Sequence, residues 1–105
     1  MSYPIDINDL AWRCYQCSEN HGFWNGLTRE NITVQLSKLA LITSEVGEAV
    51  EAVRIKDMVN LGEELADIII RVFDLSAALS INIQQEIINK IEKNENRPYM
   101  HNKHA

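Results

Sequence analysis

Glycine and proline are scarce in this chain of 105 residues, at four and two. That disfavours turn-rich β-sandwiches and barrels, which use both freely. Cysteine is nearly absent. Cys14 and Cys17 are the only two, too few for a disulfide scaffold and at home in a reducing cytoplasm, which is the expected location. Positive charge is also in deficit, with ten Lys and Arg against fifteen Asp and Glu for a net charge of −5. Nucleic-acid binding needs Lys and Arg to displace the counterions of the polyanion, so no nucleic-acid partner is expected. A chain this acidic that handles phosphates must recruit a cation. No apolar run approaches the ~20 residues that span a bilayer, so no membrane partner is expected. The opening MSYPIDINDL has no basic stretch followed by an apolar run, the pattern of a secretory signal.

Hydrophobic residues make up 46% of the chain and charged residues 24%, which suits one globular domain over residues 1–105. The periodicity predicts four helices. The first runs from about Ile7 to Glu19, with Asp6 as N-cap and Ile7, Leu10, Ala11 and Cys14 on one face. After the loop NHGFWNGLTREN, the second runs from about Thr33 to Ile55. Its main apolar face carries Leu36, Leu39, Ala40, Thr43, Val46, Val50 and Val53. The third starts at Asn60, with Glu63 in a capping-box position, and ends near Ser80. The fourth starts at Asn82, with Gln85 in the box position, and stops before Pro98. No stretch alternates with period two. The expectation is an all-α, four-helix bundle-type domain.

Within the third helix, ELADIIIRVFDL places Glu64, Asp67, Arg71 and Asp74 along one narrow seam of an otherwise apolar surface. Leu61, Leu65, Ile68, Val72, Leu75 and Leu79 lie on one side, with Ile69, Ile70, Phe73 and Ala77 on others. Three neighbouring helices cannot cover that circumference, so a homodimer or homotetramer is expected. On the second helix a minor line runs through Val34, Leu41, Glu45, Glu48 and Ala52. Two carboxylates thus replace apolar residues one turn apart, and Glu64 and Asp67 repeat that spacing. If the two helices pack antiparallel, four carboxylates converge in a largely apolar setting. They must then be partly protonated or hold a metal ion. Spacing alone leaves open a plain solvated face.

This pattern resembles the MazG-like family of all-α nucleoside triphosphate pyrophosphohydrolases. Its signature is E-x-x-E, a spacer, then E-x-x-D; here EVGE (Glu45, Glu48) is followed by fifteen residues and then ELAD (Glu64, Asp67). GFW, LALITSEVGEAVEAVR and the tail KIEKNENRPYMHNKH extend the similarity over about Gly22 to Lys103. Asn102 departs from the family, where glycine is usual. The resemblance implies hydrolysis of an NTP or dNTP between the α and β phosphates, in the clearing of aberrant nucleotides or the adjustment of pools. It implies Mg²⁺ as cofactor, with Mn²⁺ able to substitute. It assigns metal coordination to Glu45, Glu48, Glu64 and Asp67, and subunit pairing that completes the nucleotide pocket.

Within that reading, Glu48 is the candidate general base, and Arg71 is a salt-bridge partner of Asp67 or Asp74 in preference to a phosphate contact. Lys90, Asn94, Arg97 and Lys103 are candidate phosphate ligands, Lys90 and Asn94 lying one helical turn apart. Trp24 is the candidate stacking residue for the base, with Phe23 and His21 beside it and Tyr99 and His101 as weaker candidates. Two readings compete. Cys14, Cys17 and His21, with His101 or His104, could form a zinc site, although a second close ligand pair is missing. Alternatively the bundle is a non-catalytic interaction module whose acidic face docks a basic partner.

Overall fold

The computed structural model describes residues 4–99, and these form four helices: α1 (Ile7–Asn20), α2 (Ile32–Arg54), α3 (Met58–Ala78) and α4 (Ile83–Glu95). No strand occurs among the described residues. The all-α bundle class therefore stands. The helix starts follow from short polar caps. Asp6, Asn31 and Asn82 each accept a hydrogen bond from a backbone N–H in the first turn of α1, α2 and α4. The third start corrects the sequence reading. Asp57, not Asn60, is the cap, and its carboxylate accepts from the Asn60 N–H at 3.0 Å. The helix thus begins one turn before the expected capping box.

α2 and α3 end without glycine. Lys56 (φ 61°) and Ser80 (φ 57°) take left-handed backbone after the last turns. The N–H groups that follow, of Asp57 and Ile81, reach back to Ala52 O and Ser76 O at 2.9 Å. This closure satisfies carbonyls that the helix end would leave open. It also turns α3 back along α2 within a few residues.

α3 is the central element, packing on α1 and α2, whereas α4 touches only α1 and α3. The starts of α1 and α4 cap each other. The Ile7 N–H donates to Gln84 Oε1 (2.8 Å), the Gln84 N–H to Asn8 Oδ1 (3.1 Å), and Asn8 Nδ2 to Asn82 Oδ1 (2.8 Å). The densest part of the core joins Tyr15, Trp24 and Ala78, with Val34, Leu75 and Ala77 against them. Burial here is modest. Among the described residues no large side chain is fully buried, and the buried set is mostly alanine plus Tyr15, Trp24 and Phe73.

The main apolar stripe of α2 does not face the core of its own chain. Leu36, Leu39, Val46, Val50 and Val53 are all exposed, and on α3 so are Leu65, Ile69 and Ile70. The minor line packs in part: Ala52 is buried and Val34 and Glu45 are half-buried, with Ala49 buried beside them, whereas Leu41 and Glu48 are exposed. Small residues allow close approach of α2 to α3, and this sets the spacing at which the carboxylates meet.

Candidate functional site

α2 and α3 present their charged seams to each other. Glu45 and Glu48 lie one turn apart on α2, and Glu64 and Asp67 one turn apart on α3. Carboxylate oxygens of Glu45, Glu48 and Glu64 all lie within 4.8 Å of one another. Glu64 is half-buried, and its carboxyl is pushed up to about 7. Loss of solvation is the first cause and the neighbouring Glu48 charge the second. Hydrogen bonds shared with Glu48 and Asp67 add to it, followed by the charge on Asp67. Near neutral pH this group therefore exchanges a proton that like-charged neighbours help to hold.

A cation set among the three would take over that role and let all ionise. Hard divalent ions prefer carboxylate oxygens. The donor set thus fits such an ion, with Asp67 close enough to Glu64 to share a hydrogen bond.

Beside the carboxylates lies a cavity of about 400 Å³, with Glu45, Asp67 and Arg71 in its wall. Lys38, Ile70 and Asp74 also line it, as do Cys14, Cys17, Ser18, His21 and Phe23 on α1 and the following loop. Each charge along the seam has a partner. Arg71 Nε donates to Glu45 Oε1 at 2.9 Å, rather than to Asp67 or Asp74 as the sequence spacing suggested. Asp74 Oδ1 accepts from the Trp24 indole Nε1 at 2.9 Å. Lys38 Nζ donates to Phe23 O at 2.8 Å and stands 4.4 Å over the Trp24 ring. Burial lowers the Lys38 ammonium below its usual value. These contacts pin the loop that carries Phe23 and His21 to both α2 and α3.

The loop itself turns through Gly22 (φ 85°) and Gly26 (φ 71°), positions where a side chain would strain the backbone. Its far end is held by Arg29, which pairs with Glu19 at 2.9 Å and covers the Tyr15 ring at 4.9 Å. Tyr15 in turn donates to Glu19 Oε2 at 2.8 Å.

Trp24 is a core residue and not an open stacking surface. Only 6% exposed, it meets Tyr15 edge-on at 5.9 Å. Its one polar atom is satisfied by Asp74. Phe23 takes the exposed place in the wall, 61% accessible, with His21 close by. His21 Nδ1 lies 2.7 Å from Cys17 O, a contact that requires a hydrogen on Nδ1. Nε2 then remains an acceptor.

Lys90 and Asn94 are exposed on α4 and line no wall of this cavity. Arg97 is half-buried beyond α4, and Tyr99 is 93% exposed. Lys103, His101, Asn102 and His104 lie outside the described residues. Among the described residues the proposed zinc ligands bring together one pair, Cys17 Sγ and His21 Nδ1 at 3.7 Å, and no group of three. Among the same described residues the ligand atoms that converge as a group are those of the three glutamates, and no group containing Cys14, Cys17 or His21 does so. Burial and the Asp74 charge raise the Cys14 thiol above its usual value, which keeps it protonated. The residue that sequence reasoning missed is Lys38, which reads as an ordinary surface charge until the loop after α1 folds over it, and the Trp24 partner of Asp74 gave no signal either.

No helix among the described residues is long and apolar enough to cross a membrane. No curated protein and no solved structure matches the chain. A family profile does match, over residues 34–101, and that span holds both carboxylate pairs and the whole of α3. The chain belongs to the family of the MazG nucleotide pyrophosphohydrolase domain.

Proposed function

We propose that this chain is a Mg²⁺-dependent nucleoside triphosphate pyrophosphohydrolase that cleaves an NTP or dNTP between the α and β phosphates. The products are the nucleoside monophosphate and pyrophosphate. The observation that carries the reading is the convergence of Glu45, Glu48 and Glu64 within 4.8 Å beside a cavity walled by Glu45 and Asp67. In this reading Glu45, Glu48, Glu64 and Asp67 hold the metal, which Mn²⁺ can replace. When bound, the ion lowers the pKa of a water and offsets phosphate charge.

The rest of the chemistry falls to the chain. Glu48 is exposed, whereas Glu45 is engaged by Arg71, so Glu48 is the carboxylate with room to accept a proton from the attacking water. The water oxygen adds to phosphorus, the bridging P–O bond breaks, and pyrophosphate leaves with the bond's electron pair. Elsewhere in the cavity wall Phe23 offers an exposed ring for the base, and His21 offers an acceptor nitrogen. An apolar face with a few placed polar groups is what nucleoside recognition needs.

The exposed stripes of α2 and α3 support a homodimer or homotetramer. In it Lys90, Asn94, Arg97 and Lys103 would approach the phosphates of a neighbour's site, since α4 of the same chain stands away from the cavity. A soluble cytoplasmic role in clearing or adjusting nucleotides follows from the activity.

The test is direct. The purified chain is incubated with each NTP and dNTP, with Mg²⁺ or with EDTA, and both products are measured. Metal-dependent release of monophosphate and pyrophosphate in equal amounts is expected. Release of orthophosphate instead would overturn the α–β cleavage, and no turnover with any nucleotide would favour a non-catalytic module.

A further inference from the structure

We propose that Arg71 exchanges partners during the catalytic cycle, holding Glu45 in the metal-free chain and a nucleotide phosphate once metal and substrate have entered. The inference rests on the nucleotide site proposed above and adds a phosphate-binding residue from within the same subunit. Three features of the structure lead to it.

Glu45 is only 12% exposed at its side chain and is one of the three converging carboxylates. Its oxygen Oε1 is nevertheless occupied by Arg71 Nε at 2.9 Å. A cation seated among the glutamates competes with that guanidinium for the same carboxylate, so ligand binding weakens the ion pair. The guanidinium also has somewhere to go. It is 37% exposed, and it lines the cavity together with Lys38. Finally, both cations line the cavity, Arg71 bonded to Glu45 and Lys38 to the Phe23 carbonyl, so they join the acidic residues to the Phe23 loop. A nucleotide stretched from the acidic residues to that loop must carry its first phosphate past them. A guanidinium presents a planar fork of donors that matches phosphate oxygens. Lys38 is already committed to Phe23 O and the Trp24 ring, which leaves Arg71 as the group able to turn.

The exchange makes a prediction of opposite sign for two ligands. Removing the Arg71 charge frees Glu45 and removes repulsion, so a divalent ion alone binds more tightly. Phosphate, by contrast, loses a donor. For Arg71→Gln, Mn²⁺ affinity without nucleotide, read by electron paramagnetic resonance, is expected to rise roughly three- to tenfold. KM for the nucleotide, and the constant for inhibition by pyrophosphate-free nucleoside monophosphate, are expected to rise about ten- to hundredfold.

Arg71→Lys keeps the charge and loses the fork. It should leave Mn²⁺ affinity near wild type and recover part of the monophosphate binding. It also serves where the glutamine variant does not fold, because a merely structural salt bridge predicts little loss of monophosphate binding on that change. Unchanged or weaker Mn²⁺ binding by a folded Arg71→Gln chain would overturn the exchange, as would wild-type monophosphate binding by either variant. Failure of the wild-type chain itself to bind Mn²⁺ would instead remove the metal site on which the inference stands.

Discussion

Replacing Trp24 separates a core residue from a stacking residue in one experiment. Its indole is 6% exposed, with Tyr15 at 5.9 Å, the Lys38 ammonium at 4.4 Å and the Asp74 carboxylate at 2.9 Å. Trp24→Phe keeps an aromatic ring in the core but removes the N–H, leaving the carboxylate without its donor. A hydrogen bond to a charged group contributes about 1.5–3 kcal/mol. At ~4–8 °C per kcal/mol for a domain of this size, the thermal midpoint should fall by roughly 6–24 °C.

Trp24→Ala removes the ring as well and should cost about 3–5 kcal/mol, enough to threaten folding altogether. Circular dichroism melts at fixed protein concentration measure both, with KM determined well below the midpoint. Asp74→Asn retains an acceptor oxygen and should cost less than Trp24→Phe. The double variant should show coupling, because the two residues share one bond. A Trp24→Phe chain that melts within about 2 °C of wild type but has a severalfold higher KM would refute the core assignment and return the ring to the ligand.

Glu64 gives a pH dependence with a definite sign. Its carboxyl is pushed up to about 7 from an ordinary 4.5. The stability it contributes is therefore full below pH 4.5 and lost as pH rises through 7. In EDTA the thermal midpoint should fall across that window, Mg²⁺ should restore it, and Glu64→Gln should flatten the profile. Below pH 7, metal affinity should drop about tenfold per pH unit, since each ion displaces one proton; titration calorimetry at pH 5.5, 6.5 and 7.5 checks this. Phe23→Ala should raise KM severalfold with kcat nearly unchanged, because a stacking contact serves ground and transition states alike; a matching loss of kcat would place Phe23 in the chemistry. Val50→Asp, on the exposed stripe of α2, should convert an assembled protein to monomer in light scattering. A wild-type chain that already scatters as a 12.0 kDa monomer would remove the reason for the stripe.

Much of the scaffold could be read from the residues, and the exceptions have physical causes. Two N-caps, Asp6 and Asn82, were visible because Asp and Asn have one short way to satisfy a helix N-terminus. The start of α3 was misplaced because Asp57 and Asn60 are both capable caps three residues apart, and only the chain's path chooses between them. The left-handed closures at Lys56 and Ser80 left no trace, since neither residue type advertises that backbone. The glutamate and aspartate spacings were legible because one-turn repeats survive any packing. The partners of Arg71 and Asp74 were not, because local spacing favours neighbours on the same helix, whereas Glu45 and Trp24 come from elsewhere in the chain.

The orientation of α2 is the part that its stripes leave open. A hydrophobic stripe states that a face is to be buried, but not by what. The sequence shows a richer stripe and a poorer line bearing Glu45 and Glu48, and it does not say which of them the chain's own helices cover. In the structure the poorer side meets α3. Ala49 and Ala52 close on α3 there, and Leu36, Leu39, Val46, Val50 and Val53 stay outside. Had the richer face turned inward, Glu45 could not have met Arg71 and Glu64, and the carboxylates would have stood in solvent as separate pairs. The exposed stripe and the carboxylate cluster are therefore two consequences of one rotation of α2. A change that favours the other rotation, such as large apolar residues at Ala49 and Ala52 with polar ones at Val50 and Val53, should disperse the cluster and abolish divalent-ion binding while preserving helix content.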